Sequence, residues 1–183
     1  MSNSTEATSG VTTWNIDPAH TTVEFSVKHL MISTVRGHFG AVTGTIALDE
    51  ANPLNSTVTA EIDVTSIDTR QAQRDEHLRS ADFFDVAQFP SIKFTSTRVE
   101  RDGDHYDVIG NLTIRDVTKE VVLHTSDEGR AGDPWGGQRA AFSATTKVDR
   151  RDFGLTYNQV LETGGVMVGT DIKISLEIQA VKA

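Results

Sequence analysis

Side chains able to carry chemistry are spread thinly along this chain. Its six histidines, His20, His29, His38, His77, His105 and His124, show no His-x-His, His-x3-His or His-Glu-x-x-His spacing. No single segment therefore supplies a metal site. There is no cysteine, which removes disulfides, zinc–cysteine sites and thiol nucleophiles. No Gly-x-Ser-x-Gly elbow, phosphate loop or dinucleotide fingerprint occurs. Paired carboxylates of the glycosidase kind are not picked out by any pattern. Arg70, Arg74, Asp75, Glu76 and Arg79 read as a solvated helix face with i,i+4 partners, and Arg150-Arg151-Asp152 reads as a local ion pair. What remains is a set of donors. His29, Arg36 and His38 lie near a strand end and its turn, and Tyr157 and Asn158 lie in an irregular segment able to fold over the same rim. Arg36 suits a bidentate pair with a phosphate, a salt bridge being its commoner role. His20 and His29 equally suit hydrogen bonds to backbone. No residue is assigned a catalytic role, and no metal or cofactor is expected.

Strands must position these donors. Trp14 to Asp17 alternates and stops at Pro18. From His20 to His29 the period is two, with Val23, Phe25 and Val27 on one face and Glu24, Ser26 and Lys28 on the other. Leu30 to Val35 reads as a short turn of helix, and Arg36 to Gly40, with Phe39, as a tight re-entry. Val42, Gly44, Ile46 and Leu48 line one face of the next strand; Val58, Ala60, Ile62 and Val64 line another. Gln71–Asp85 is the one convincing helix, ending in Phe83 and Phe84, and Pro90 forbids its extension. Ile92 and Phe94 open a strand. Asp102-Gly103 is a hairpin signal, and Tyr106, Val108, Gly110, Leu112 and Ile114 return. Ser126 to Gly137 reads as a loop. Ala140, Phe142, Ala144, Thr146 and Val148 follow on one face, then an irregular stretch holding Phe153, Leu155, Tyr157 and Val160. Ile172, Ile174, Leu176 and Ile178 close the chain.

About eight long strands joined by hairpin signals predict an all-β fold, an antiparallel sandwich or barrel, with the short helix suited to cap a barrel mouth; an eight-stranded barrel can fill its interior or hold one ligand. Residues 1–11 are expected to be a Ser/Thr-rich tail and residues 12–183 one barrel domain. Ala60, Gly44, Gly110, Ala140 and Ala144 on inner faces are expected to leave room for a ligand. The 183 residues carry a net charge of -9. That balance argues against nucleic acid and anionic membrane surfaces as partners. The N-terminus lacks the cationic start and apolar core of a signal peptide, and no apolar run approaches a membrane span. The expected compartment is the cytoplasm.

Several longer stretches then combine. Trp14-Asn15-Ile16-Asp17-Pro18-Ala19-His20, Val23 to Leu30, Val35 to Phe39, His77 to Asp85 with Phe89-Pro90, Gly110 to Arg115 with Thr118-Lys119, Arg151-Asp152-Phe153-Gly154 and the strand from Val168 occur in this order. The chain resembles the YceI family of lipocalin-like, polyisoprenoid-binding proteins from about Trp14 to Lys182. The resemblance implies an extended, eight-stranded antiparallel, lipocalin-like barrel with a short capping helix, a long apolar tunnel, a bound isoprenoid or similar amphiphile, and often a homodimer. Relatives commonly carry a periplasmic leader, which this sequence lacks.

The expected function is a non-catalytic carrier of a polyisoprenoid or similar amphiphile, such as an isoprenoid quinone or fatty-acyl amide. The expected tunnel residues are Phe25, Val27, Phe39, Val42, Ile62, Phe94, Leu112, Phe142 and Leu176, with Phe83 and Phe84 at the mouth. His29, Arg36, Tyr157 and Asn158 are the expected head-group donors. The alternatives are an enzyme acting on an isoprenoid head group and a ligand-free, stress-associated structural protein whose core its own side chains fill.

Overall fold

A computed structural model describes residues 10–159, 161 and 165–183. Val160 and most of the N-terminal tail lie outside the described residues. The strands are β1 (Val11–Ile16), β2 (Thr22–His29), β3 (Ser33–Phe39), β4 (Val42–Asp49), β5 (Thr57–Asp63) and β6 (Ile67–Asp68). After helix α1 (Ala72–Arg79) come β7 (Ser91–Asp102), β8 (His105–Ile114), β9 (Val117–Gly132), β10 (Gln138–Asp149) and β11 (Asp171–Lys182). β1 and β2 are two halves of one stave, as are β3 with β4 and β5 with β6. With β7 to β11 they make eight antiparallel staves. The barrel closes because β11 pairs with both halves of the first stave: Lys173–Glu177 with β2, and residues 180–182 with β1.

The three split staves break side by side. Pro18 interrupts the first, and Asp17 caps the resulting turn by accepting from the Ala19 N–H at 3.0 Å. Asp63 caps the break in the third in the same way, through the Thr65 N–H at 2.9 Å. Ser66 Oγ then accepts from the N–H groups of Gly40 and Ala41, both at 3.1 Å, which ties the second break to the third. Thus amides released from the ladder find new acceptors.

Several sequence expectations are revised. Helix α1 ends at Arg79, so Phe83 and Phe84 sit in the turns that follow. Leu78 is the one large apolar side chain α1 carries, too little for the apolar stripe that would sustain a longer helix. Arg36 to Phe39 is strand, paired residue by residue with β2. Gly37 suggested a turn there, yet a Cβ on Gly37 would meet the Phe25 ring at 2.4 Å, so glycine is required by packing. Residues 30–32 form no helical turn; Leu30 and Met31 adopt positive φ, 52° and 63°, at a β-hairpin tip. β9 runs on to Gly132, so the loop begins only at Asp133. The register of β9 with β10 shifts between Ala141 and Phe142, a bulge that obscured the alternation.

No helix among the described residues is long and apolar enough to cross a membrane. Outside the wall, Arg139 Nη1 donates to Asp17 Oδ2 at 2.7 Å and to Gln179 Oε1 at 2.8 Å, fixing the first break to β10 and β11. Arg139 first, and His20 second, lower the Asp17 pKa from 3.8 to about 2. The folded state therefore holds this proton more weakly than the unfolded chain. The contribution to stability is complete above about pH 3.8 and is lost as the pH falls through about 2. Asp17→Asn should flatten the stability–pH curve in that window, read by circular dichroism in urea. A variant curve that overlays the wild type would mean that the contact contributes nothing.

Candidate functional site

Successive staves alternate in direction, which sorts the connections into two groups. Helix α1, the hairpin tip at residues 30–32, the turn at Arg115-Asp116 and the described residues between Arg150 and Thr170 share one end of the barrel. Residues 50–56, Gly103-Asp104 and 133–137 share the other. A cavity of about 310 Å³ runs between them, lined by inner faces of all eight staves. This volume falls near the lower bound of ligand-binding pockets, about 300 Å³.

Eleven of the sequence-selected residues line it: Phe25, Val27, Phe39, Val42, Ile62, Phe83, Phe84, Phe94, Leu112, Phe142 and Leu176. Period-two alternation puts them on one face of each strand, and closure turns that face inward. Ala60 and Ala144 line it as well. Gly44 and Gly110 work differently from the expectation. A Cβ on Gly44 would lie 2.8 Å from Ile16 Cδ1, and one on Gly110 would lie 2.5 Å from Phe94 Cζ. These glycines admit neighbouring side chains and leave no space for a guest.

The helix end is plugged by aromatic rings. Phe83 is buried against Tyr157 at 5.2 Å and His77 at 5.1 Å, while Phe84 meets Phe39 edge-on at 6.1 Å. Edge-on geometry is the favoured approach of such rings. The charged residues of α1 hold this plug in place. Arg79 donates to the carbonyls of Thr65 and Ile67 at 3.2 and 3.1 Å. Buried Asp75 accepts from the Thr69 N–H at 2.9 Å, and Arg74 Nε donates to Thr69 Oγ1 at 2.7 Å. The expected solvated face is therefore in large part a set of tethers, because backbone at the barrel rim needs partners that the ladder no longer supplies.

The four expected donors do not line the cavity. Arg36 lies on the outer face of β3, its guanidinium 3.9 Å from Glu24, because residues 35, 37 and 39 take the inner positions. His29 closes the β2–β3 ladder opposite Ser33 and forms a bridge with Val168. Asn158 pins a loop: its Nδ2 donates to Val168 O at 2.7 Å and its Oδ1 accepts from Val168 N at 3.0 Å. Tyr157 uses its carbonyl to accept from Arg150 and its hydroxyl to accept from Gln159. Among the described residues no three His, Cys, Asp or Glu side chains converge as metal ligands would.

Two arginines in the cavity wall escaped the sequence reading. Arg130 lies near the end opposite α1, its guanidinium 5.2 Å from the Phe142 ring and 5.9 Å from Trp14. Burial opposes its charge, but the hydrogen bonds it donates to Asp127 and Glu50 outweigh that and raise its pKa. Arg150 lies near the helix end and is 5% exposed. It donates to Gly169 O at 2.8 Å, Leu155 O at 2.7 Å, Tyr157 O at 2.9 Å and Val168 O at 3.3 Å. Burial lowers its pKa. The neighbouring ion pair is Arg151 with Asp149, at 2.6 Å. A signal for Arg150 did exist: Ala140 to Val148 place even numbers inward, and 150 continues that series.

The YceI-like domain model matches residues 14–180. Protein YceI of Salmonella newport is 46% identical over 137 residues, 75% of this chain and 72% of that protein. The crystal structure of Burkholderia cenocepacia BcnA superposes with a TM-score of 0.79 at 20% identity, over 90% of this chain and 98% of that one. A polyisoprenoid binding domain from Saccharophagus degradans, implicated in plant cell wall breakdown, gives a TM-score of 0.65 at 14% identity over 93% and 98%.

Phe83→Ala removes the centre of the aromatic plug. It should cost about 3–5 kcal/mol of stability in denaturant titration. A loss below about 1 kcal/mol would show that neighbouring side chains collapse into the space.

Proposed function

Because this chain belongs to the YceI family, we propose that its barrel is a non-catalytic carrier. It holds a polyisoprenoid or similar long-chain amphiphile, such as an isoprenoid quinone or a fatty-acyl amide. The observation that carries the reading is the cavity, an apolar channel walled by every stave and left unfilled by the protein's own side chains. A purely structural barrel gains by filling such a space, since voids in a core cost stability. The Saccharophagus polyisoprenoid binding domain, alike in fold, supports the same ligand class. Affinity would come from burial of the tail, about 25 cal/mol per Å² of apolar surface. The proposal includes a homodimer, as a single mass spectrum can report.

Native mass spectrometry of gently purified protein, followed by denaturing analysis of what is released, should find one long-chain species per subunit. Protein that is empty, and that also fails to take up added polyprenyl and quinone probes, would overturn the carrier reading. Ala144 lines the cavity, so Ala144→Phe should lower uptake of a prenylquinone at least tenfold while circular dichroism remains that of the barrel. Unchanged uptake would place the ligand elsewhere.

A further inference from the structure

The two arginines in the cavity wall differ in what they have left to give. A guanidinium carries five N–H donors. At Arg130 all five are taken. Nε donates to Glu50 Oε1 at 2.9 Å, Nη1 to Asp127 Oδ1 at 2.7 Å and Gly129 O at 2.9 Å, and Nη2 to Asp127 Oδ2 at 2.9 Å and Glu50 Oε2 at 3.4 Å. Two carboxylates also cancel its charge. At Arg150 there are four contacts, all to backbone carbonyls, and one of them is long. One Nη2 hydrogen has no partner among the described residues. No described carboxylate pairs with this guanidinium either, since Asp149 is engaged by Arg151 Nε and Nη2. A cation buried to this degree without a counter-charge is costly, and the apolar lumen beside it gives no relief.

We infer that Arg150 is the head-group anchor of the cavity: it takes a hydrogen-bond-accepting oxygen of an amphiphile bound head-inward, beside Leu155 and Val168, which line the same end. The tail then runs toward the Arg130 end, where no guanidinium donor is free to hold a head. This inference rests on the carrier reading and narrows its ligand class. The shared chemistry is an acceptor oxygen, which a neutral quinone carbonyl or an anionic phosphate both supply.

The experiment measures binding of four probes to the wild-type protein by fluorescence competition: squalene, geranylgeraniol, a prenylquinone and geranylgeranyl phosphate. The quinone or the phosphate should bind about tenfold to a hundredfold more tightly than squalene, the range expected for a hydrogen bond to a charged donor. Quinone above phosphate identifies a neutral head, and the reverse an anionic one. Arg150→Lys keeps the charge but loses the fork, and should shrink that ratio severalfold. Because Arg150 also organises a loop, circular dichroism first checks that the variant is folded, and orientation is tested on unmodified protein too. A prenyl probe with a photoreactive benzophenone head should label Leu155, Tyr157 or Val168. Labelling at 50–57 or 125–130, or equal affinity for squalene and the quinone, overturns the inference and leaves the carrier reading standing. Failure of all four probes to bind overturns both.

Discussion

One edge of β11 does two jobs, and the rest of the structure depends on it. Its middle pairs with β2 and its last residues pair with β1, across the break at Pro18. If that seam opened, the sheet would have two free edges and the inner face would be wetted. With it shut, backbone groups of the wall are paired and the inner face is withdrawn from water. The apolar set that lines the cavity is first of all the inner face that closure creates. The three aligned breaks follow from the same constraint. They bend neighbouring staves together, and Ser66 and Asp63 restore acceptors where the ladder lapses.

An unfilled channel of this size is a standing cost. Buried void costs about 24 cal/mol per Å³ in core-truncation series, so a space of about 310 Å³ represents on the order of several kcal/mol if left dry. Tethers at the helix end offset some of that. Arg74, Asp75 and Arg79 lash α1 to β6 and the residues flanking it, and Arg150 gathers four carbonyls onto a single side chain. A guest that fills the lumen stabilises the folded state by mass action, so occupancy and stability are linked.

The wall of the barrel was legible in the sequence because alternation is a local property. Val23, Phe25 and Val27 declare their face within five residues, and so do Val58, Ala60 and Ile62. What failed was whatever depends on contacts across the lumen. Gly37 resembles a turn residue until Phe25 is placed opposite it. Gly44 and Gly110 resemble spare room until Ile16 and Phe94 are seen to occupy it. Arg36 has suitable chemistry but an odd-numbered inner face turns it outward. Arg150 was passed over because Arg150-Arg151-Asp152 read as a local ion pair, although the parity of β10 carried it inward. The β9 bulge broke that parity for Arg130, which no local pattern could then recover.

The chain has two tryptophans, and the fold treats them as opposites. Trp14 belongs to the stave that closes the barrel and is 3% exposed; Trp135 projects from the loop after β9 and is 84% exposed. One indole therefore emits from a dry, rigid setting, the other from solvent. The protein carries its own two-colour optical gauge: the blue component follows the integrity of the closing seam, and the red component serves as an internal reference that the seam does not affect.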